Sequence, residues 1–188
     1  DEVLGEFVES FLGFYNKRNK TDWAREQIYC YNFWEVFGIS KEKAIREVLE
    51  FYCTDLFANL TPVEGSVCGV RELSKFHELY IITARPKHVK NATLSWLNNN
   101  YGNMFDKRIY FTGQFGDKET GINKSEVCKE FGLGIIVDDS ASHIEECSQN
   151  GILAYMFRKP WNASFRLPRY NVIPFNSWDE LVEELHPI

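Results

Sequence analysis

From Gly65 to the C-terminus, short apolar runs alternate with stretches of helical periodicity, and few folds accommodate that alternation. Residues 79–82, 108–112, 133–137, 152–157 and 172–175 are apolar runs too short for buried helices, and they read as strands. Between them, residues 86–97, 124–131 and 141–150 carry apolar positions at helical spacing, and Ser177-Trp-Asp-Glu opens a closing helix. Strands separated by helices predict an α/β fold, a parallel sheet covered on both faces. In such sheets ligands sit outside the carboxyl ends of the strands.

The first third of the chain has a different texture. Phe7, Val8, Phe11, Leu12 and Tyr15 form the stripe of an amphipathic helix over residues 5–17. Thr21 or Asp22 is placed to cap a second helix running through Trp23, Ile28, Phe33 and Trp34, and Ser40 opens a third through Ala44, Ile45, Val48, Leu49 and Tyr52. Residues 10–62 therefore read as a small helical unit, rich in aromatic residues whose helical spacing suits a compact core. One or two of those rings are expected to reach a ligand, in keeping with the few groups that orient a small molecule in a pocket.

Composition excludes some partners. The formal net charge is −6 over 188 residues, which disfavours binding to a nucleic-acid polymer or an anionic membrane, since both need a positive face. A small phosphorylated substrate remains open, because a few local cations and a metal can hold one. The five cysteines, Cys30, Cys53, Cys68, Cys128 and Cys147, form no C-x-x-C pair and read as free thiols of a reducing compartment. Asn59, Asn91 and Asn162 open glycosylation-like triplets, but no secretory signal gives them meaning. No apolar run approaches the roughly 20 residues of a membrane-spanning helix. These features predict a cytoplasmic protein, and they leave oligomeric state unread.

Candidate chemistry is sought at the strand ends. Ile135-Ile-Val-Asp138-Asp139 places two like charges side by side after a buried strand, which is unfavourable unless a cation, a helix N-terminus or hydrogen bonds compensate. Magnesium is a natural compensator, since it prefers carboxylate oxygens and keeps sites open for phosphate. Alternatively Asp139 caps the helix that begins near Ala141 and Asp138 is solvated. Thr83, in Ile81-Ile-Thr-Ala-Arg85-Pro, has a hydroxyl suited to a phosphate oxygen at a helix N-terminus, or to local backbone in a turn. Arg85 either assists phosphate binding or lies on the surface. Lys124 offers a point charge to phosphate or to crowded carboxylates, or is a solvated lysine. His77, His88, His143 and His186 show no metal-ligand spacing.

In their order along the chain these motifs resemble the haloacid dehalogenase phosphatases, and within them the 5'(3')-deoxyribonucleotidase branch. That family shows Asp-x-Asp after its first strand, a Thr or Ser ending the second, then a Lys, then an acidic pair. The matches here are Asp1-Glu-Val, Thr83, Lys124 in Asn123-Lys-Ser-Glu, and Asp138-Asp139. Lys159-Pro-Trp-Asn162 and Ser177-Trp-Asp-Glu-Leu181 fit the branch.

The resemblance implies a three-layer Rossmann-like sheet, with a core of residues 1–9 and 63–188 and a helical cap of 10–62 inserted after the first motif. It implies a magnesium-dependent phosphomonoesterase acting through an aspartyl-phosphate on a small phosphorylated substrate, a nucleoside monophosphate. Asp138 coordinates Mg2+ and Asp139 supports the metal or its waters. Asp1 matches the second aspartate of the first motif, the general acid/base whose backbone carbonyl also meets the metal. The resemblance implies that Thr83 and Lys124 bind the transferring phosphate, with Arg85 as a further candidate for substrate binding. The nucleophilic aspartate belongs two residues before Asp1, on a central strand, so the printed sequence is expected to begin inside the first motif and to leave a hole in the sheet. A small sugar or organic phosphate is the alternative substrate, and a catalytically dead binding module the alternative class.

Overall fold

A computed structural model describes residues 1–113, 121–166 and 171–187. The described elements are, in chain order, α1 (Phe7–Asn19), α2 (Phe33–Phe37), α3 (Lys41–Phe51), α4 (Asp55–Ala58), α5 (Ser66–Leu73), β1 (Ile81–Thr83), α6 (Lys90–Tyr101), β2 (Ile109–Phe111), α7 (Lys124–Glu130), β3 (Ile135–Asp138), α8 (Ala141–Gln149), β4 (Leu153–Phe157), β5 (Val172–Phe175) and α9 (Trp178–Leu185). Among the described residues the strands pair in parallel: β1 with β2 in one sheet, and β3-β4-β5 in the other. The expected α/β fold with parallel sheets is what the chain adopts. No described helix is long and apolar enough to cross a membrane.

β4 shows how the layers arise. Successive side chains of a strand point to opposite faces. Accordingly Tyr155 and Phe157 enter the main core with α5, α6 and α9, whereas Ala154 and Met156 pack with Cys128, Ile144 and Cys147 from α7 and α8. All four are nearly or fully buried, as expected of a parallel strand with helices on both faces.

α5 and α9 form one covering pair, and their approach needs a glycine. A Cβ on Gly69 would lie 2.4 Å from Trp178 Cε3. Ser177 caps α9, its hydroxyl accepting from the Glu180 amide at 3.2 Å, and Trp178 Nε1 donates to the Val3 carbonyl at 2.9 Å.

Helices α1 to α4 make the helical unit, packed on Phe7, Phe11, Phe33, Phe51 and Phe57. The rings interlock, Tyr15 stacking on Phe37 at 4.1 Å and Phe51 meeting Phe7 edge-on at 5.3 Å. Such pairs add about 0.5–1.5 kcal/mol beyond area burial. The chain enters and leaves this unit side by side. Gly5 and Pro62 form an antiparallel bridge, Val63 N donates to the Leu4 carbonyl and Glu6 N to the Thr61 carbonyl, each at 2.9 Å.

The predicted second helix is not continuous. Residues 25–27 form a 3-10 turn, Ala24 and Ile28 are extended, and helix returns only at Phe33. The intervening segment is drawn across to the core by contacts described below. The third helix starts where Ser40 predicts, its hydroxyl accepting from the Lys43 amide at 3.2 Å. The predicted strands match β1 to β5 within a residue or two at each end.

Candidate functional site

The apolar run of β3 carries Asp138 and Asp139 to the end of the sheet, where both are buried, 4% and 3% exposed. Asp138 is surrounded by donors. Its Oδ1 accepts from the Ser140 amide at 2.9 Å, its Oδ2 accepts from Lys124 Nζ at 2.6 Å, and His143 Nδ1 lies 3.3 Å from Oδ2 without a hydrogen-bond partner of its own. Lys124 reaches it as the first residue of α7, whose start is fixed by the Glu126 carboxylate accepting from the amide of the N-cap residue Asn123 at 2.9 Å. Burial alone would raise the Asp138 carboxyl, but Lys124 and His143 outweigh it and hold the group well below the usual carboxylate range.

Asp139 has a different set of partners. Its Oδ2 accepts from the Tyr31 hydroxyl and from Trp161 Nε1, each at 2.7 Å. Both donors are neutral. Burial and then the Asp138 charge push the Asp139 carboxyl up. The Lys-Pro-Trp-Asn run thereby acquires a structural account. It forms a 3-10 turn (Pro160–Asn162) after β4, and Asn162 Nδ2 donates to the Asp139 and Phe157 carbonyls at 2.8 Å, aiming the indole at Asp139. Neither aspartate caps α8; Ser140 stands at that position.

The end of β1 carries the other half. Thr83 Oγ1 accepts from the Arg85 amide at 3.2 Å, and its carbonyl accepts from the Thr112 amide at 2.8 Å, joining the ends of β1 and β2. Arg85 is not a surface residue. It is 5% exposed, its Nε and Nη2 donate to the Asp1 carboxylate, Nη1 donates to Thr93 Oγ1 at 3.0 Å, and its guanidinium lies 4.6 Å from the Phe57 ring centroid. Burial lowers the Arg85 pKa to about 10, still charged at neutral pH. Next to Asp1, Glu2 is wholly buried and in a left-handed conformation, φ 60. It accepts from Val8 N and Arg25 Nη2, each at 2.6 Å. Burial, opposed by Arg25, raises its carboxyl to about 7.

Asp1, Thr83, Arg85, Lys124, Asp138 and Asp139 all line one cavity of about 920 Å3. From the helical side Tyr31, Trp34 and Lys41 line it, and it extends down between β1 and β3, past Ile82, Val137 and Leu181. Among the described residues β1 pairs only with β2, and β3 only with β4 on this side, so the cavity runs between two unpaired strand edges. Sequence reasoning assigned no role to His143, and it did not single out Tyr31. Tyr31 lies 108 positions from Asp139, and no local pattern encodes that distance. Trp161 lay in a run whose purpose was unread.

Among the described residues no three or more His, Cys, Asp or Glu are grouped to hold a metal by themselves. The donor set is oxygen-rich, however, and Asp138 and Asp139 put two buried carboxylates side by side, with Asp139 bonded through its side chain only to neutral donors. That chemistry fits Mg2+, which takes one or two carboxylates and fills its remaining sites with water and phosphate.

Comparison with known proteins gives a consistent picture. Residues 1–184 match the sequence model of the family described as 5' nucleotidase, deoxy (pyrimidine), cytosolic type C protein (NT5C). The chain is 23% identical over 187 residues to the 5'(3')-deoxyribonucleotidases of Bacillus subtilis and of Bacillus phage SPbeta, covering 98% of this chain and 94% of each relative. Among solved structures it is similar to a haloacid dehalogenase-like family hydrolase from Streptococcus pneumoniae, with a TM-score of 0.67 at 14% identity over 95% of this chain and 90% of the other. It is also similar to the Bacillus subtilis HAD-hydrolase YfnB bound to magnesium, with a TM-score of 0.58 at 14% identity over 100% and 96%. At such identities the structural likeness shows a shared fold.

Proposed function

Because the chain belongs to the 5' nucleotidase, deoxy (pyrimidine), cytosolic type C family, we propose that it is a magnesium-dependent phosphomonoesterase that hydrolyses a nucleoside monophosphate through an aspartyl-phosphate. The observation that carries this reading is the convergence of Asp1, Thr83, Lys124, Asp138 and Asp139 on one cavity at the strand ends. Phosphoryl transfer asks the protein mainly for positioning and charge neutralisation, and those residue types supply both.

In this proposal Thr83 donates its hydroxyl to a phosphate oxygen, and Lys124 gives a second oxygen its positive charge while remaining against Asp138. Asp1 protonates the departing nucleoside oxygen and later takes a proton from the attacking water. The attack on phosphorus belongs to an aspartate two positions upstream of the residue that Asp1 matches. Arg85 acts through the carboxylate it already grips: its fork fixes the direction of Asp1, with Thr93 and the Phe57 ring holding the guanidinium. Asp138 and the Asp1 carbonyl would hold Mg2+, with Asp139 supporting the metal or its waters, and the ion when bound would supply charge neutralisation at the phosphate.

The helical unit of residues 10–62 is the proposed cap, joined to the rest of the chain where Gly5 and Pro62 run side by side. Most of its aromatic rings are packed in the main hydrophobic core. Trp34, which lines the cavity with Lys41 Nζ 5.0 Å from its ring, is the ring we assign to the nucleobase, since an apolar face with an adjacent cation suits a planar heterocycle.

The test is phosphate release by the full-length protein from deoxynucleoside 5'- and 3'-monophosphates and from sugar phosphates, with Mg2+ and with a chelator. Preference for nucleotides and loss of turnover on chelation are expected. Preference for sugar phosphates would overturn the substrate, and activity indifferent to chelation would overturn the metal. Asp138→Asn is expected to abolish magnesium-dependent turnover.

A further inference from the structure

We infer that Tyr31 is a positioning residue: a cap side chain that fixes the Asp139 carboxylate, so that seating of the cap and affinity for the metal are coupled. The inference rests on the magnesium-dependent reading above and deepens it.

Two donors converge on one oxygen. Trp161 Nε1 and the Tyr31 hydroxyl both donate to Asp139 Oδ2 at 2.7 Å, and their rings meet edge-on at 5.3 Å and 62°. An aspartate carboxyl ordinarily turns with little hindrance about its last bond, since that torsion is broad. Two donors on the same oxygen remove that freedom in a carboxylate that lines the cavity.

The two donors are mounted differently. Trp161 belongs to the core: its turn is fastened by Asn162 to the Asp139 and Phe157 carbonyls. Tyr31 belongs to the helical unit, its ring edge-on to Phe33 at 6.4 Å, and Phe33 is buried against Phe11 and Phe37 in that unit's core. A displacement of the helical unit therefore withdraws one of the two donors and leaves the other. A carboxylate that supports a metal is in this way sensitive to a segment more than a hundred positions away in sequence.

Groups that orient metal-supporting side chains typically change metal affinity by about 10–100-fold when removed. The experiment is calorimetric titration of Mg2+ into wild type, Tyr31→Phe, Trp161→Phe and the double variant, with Tyr29→Phe, a ring 58% exposed, as control. Both single substitutions keep an aromatic ring in place and remove only a donor. Mg2+ affinity is expected to fall about tenfold in Tyr31→Phe, to fall in Trp161→Phe, to fall in the double by less than the product of the two, and to stay unchanged in Tyr29→Phe. The Mg2+ concentration giving half-maximal turnover is expected to rise in step with the loss of affinity in Tyr31→Phe. Wild-type Mg2+ affinity in Tyr31→Phe overturns the inference and leaves the phosphatase reading intact. A wild type that binds no Mg2+ overturns the metal assignment itself.

Discussion

Lys124 and Asp138 bury a full positive and a full negative charge against each other at 2.6 Å, with side chains 10% and 6% exposed. Such a pair is weak evidence of net stability, but breaking it on one side leaves an uncompensated buried charge. Lys124→Ala is therefore expected to lower unfolding free energy by about 3 kcal/mol, the low end for such pairs because the Ser140 amide and His143 still face Asp138. Denaturant unfolding without Mg2+ checks this, and a loss under 1 kcal/mol would show that solvent reaches the pair. Adding Asp138→Asn should make the double variant more stable than the sum of the single losses allows, since the charges that conflict are gone together. The residues in this pair were legible in the sequence because each stands beside a local signal. Asp138 follows an apolar strand and Lys124 opens a capped helix. Arg85 was named by its neighbourhood but its partner was not, because Asp1 lies 84 positions away and only the folded sheet brings them together.

At the scale of elements, α5 and α9 meet so closely at Gly69 that no side chain fits between them. The Trp178 ring occupies the space a side chain on Gly69 would need, with Cδ2 and Cζ3 also within 3.2 and 3.3 Å of a Cβ built there. The ring has little room to retreat, as its indole nitrogen is tied to the Val3 carbonyl. Overpacking of this kind costs about 1–3 kcal/mol, and Gly69→Ala should shift the denaturation midpoint by that amount with an unchanged m-value. A neutral or stabilising effect would mean that the helix interior's gain from alanine outweighs the clash. This contact was not legible, because a glycine inside a helical pattern does not announce what approaches it. The alternation of strands and helices was legible from periodicity alone. The reading failed between Thr21 and Trp34, where apolar spacing suggested one helix. There the segment is held by Arg25 and Tyr31 to the core, and those tertiary contacts outweigh a local preference worth only tenths of a kcal/mol per residue.

At the scale of the whole molecule, those same contacts clamp the helical unit to the rest. Arg25 donates Nη2 to Glu2 and Nη1 to Glu6, and its guanidinium lies 5.4 Å from the Trp161 ring centroid. It thus ties the segment before α2 to the residue beside Asp1 and to the turn that holds Asp139. Glu2 has no exposed surface, so losing Arg25 strands a buried carboxyl that already titrates near 7. Arg25→Ala should destabilise the protein by about 3 kcal/mol, the lower end for a broken buried pair, because Glu2 can relieve the strain by taking up a proton. The more telling readout is where the loosening falls. Local opening is governed by the contacts of the element concerned, so amide exchange in Arg25→Ala should accelerate across residues 20–40 while α5, α9 and β4 keep their protection. Uniform acceleration over the whole chain would mean that Arg25 stabilises the fold in general and clamps nothing in particular. Exchange confined to residues 20–40, with slower substrate turnover, would instead identify the Arg25 contacts as the fastening by which the helical unit is held over the strand ends.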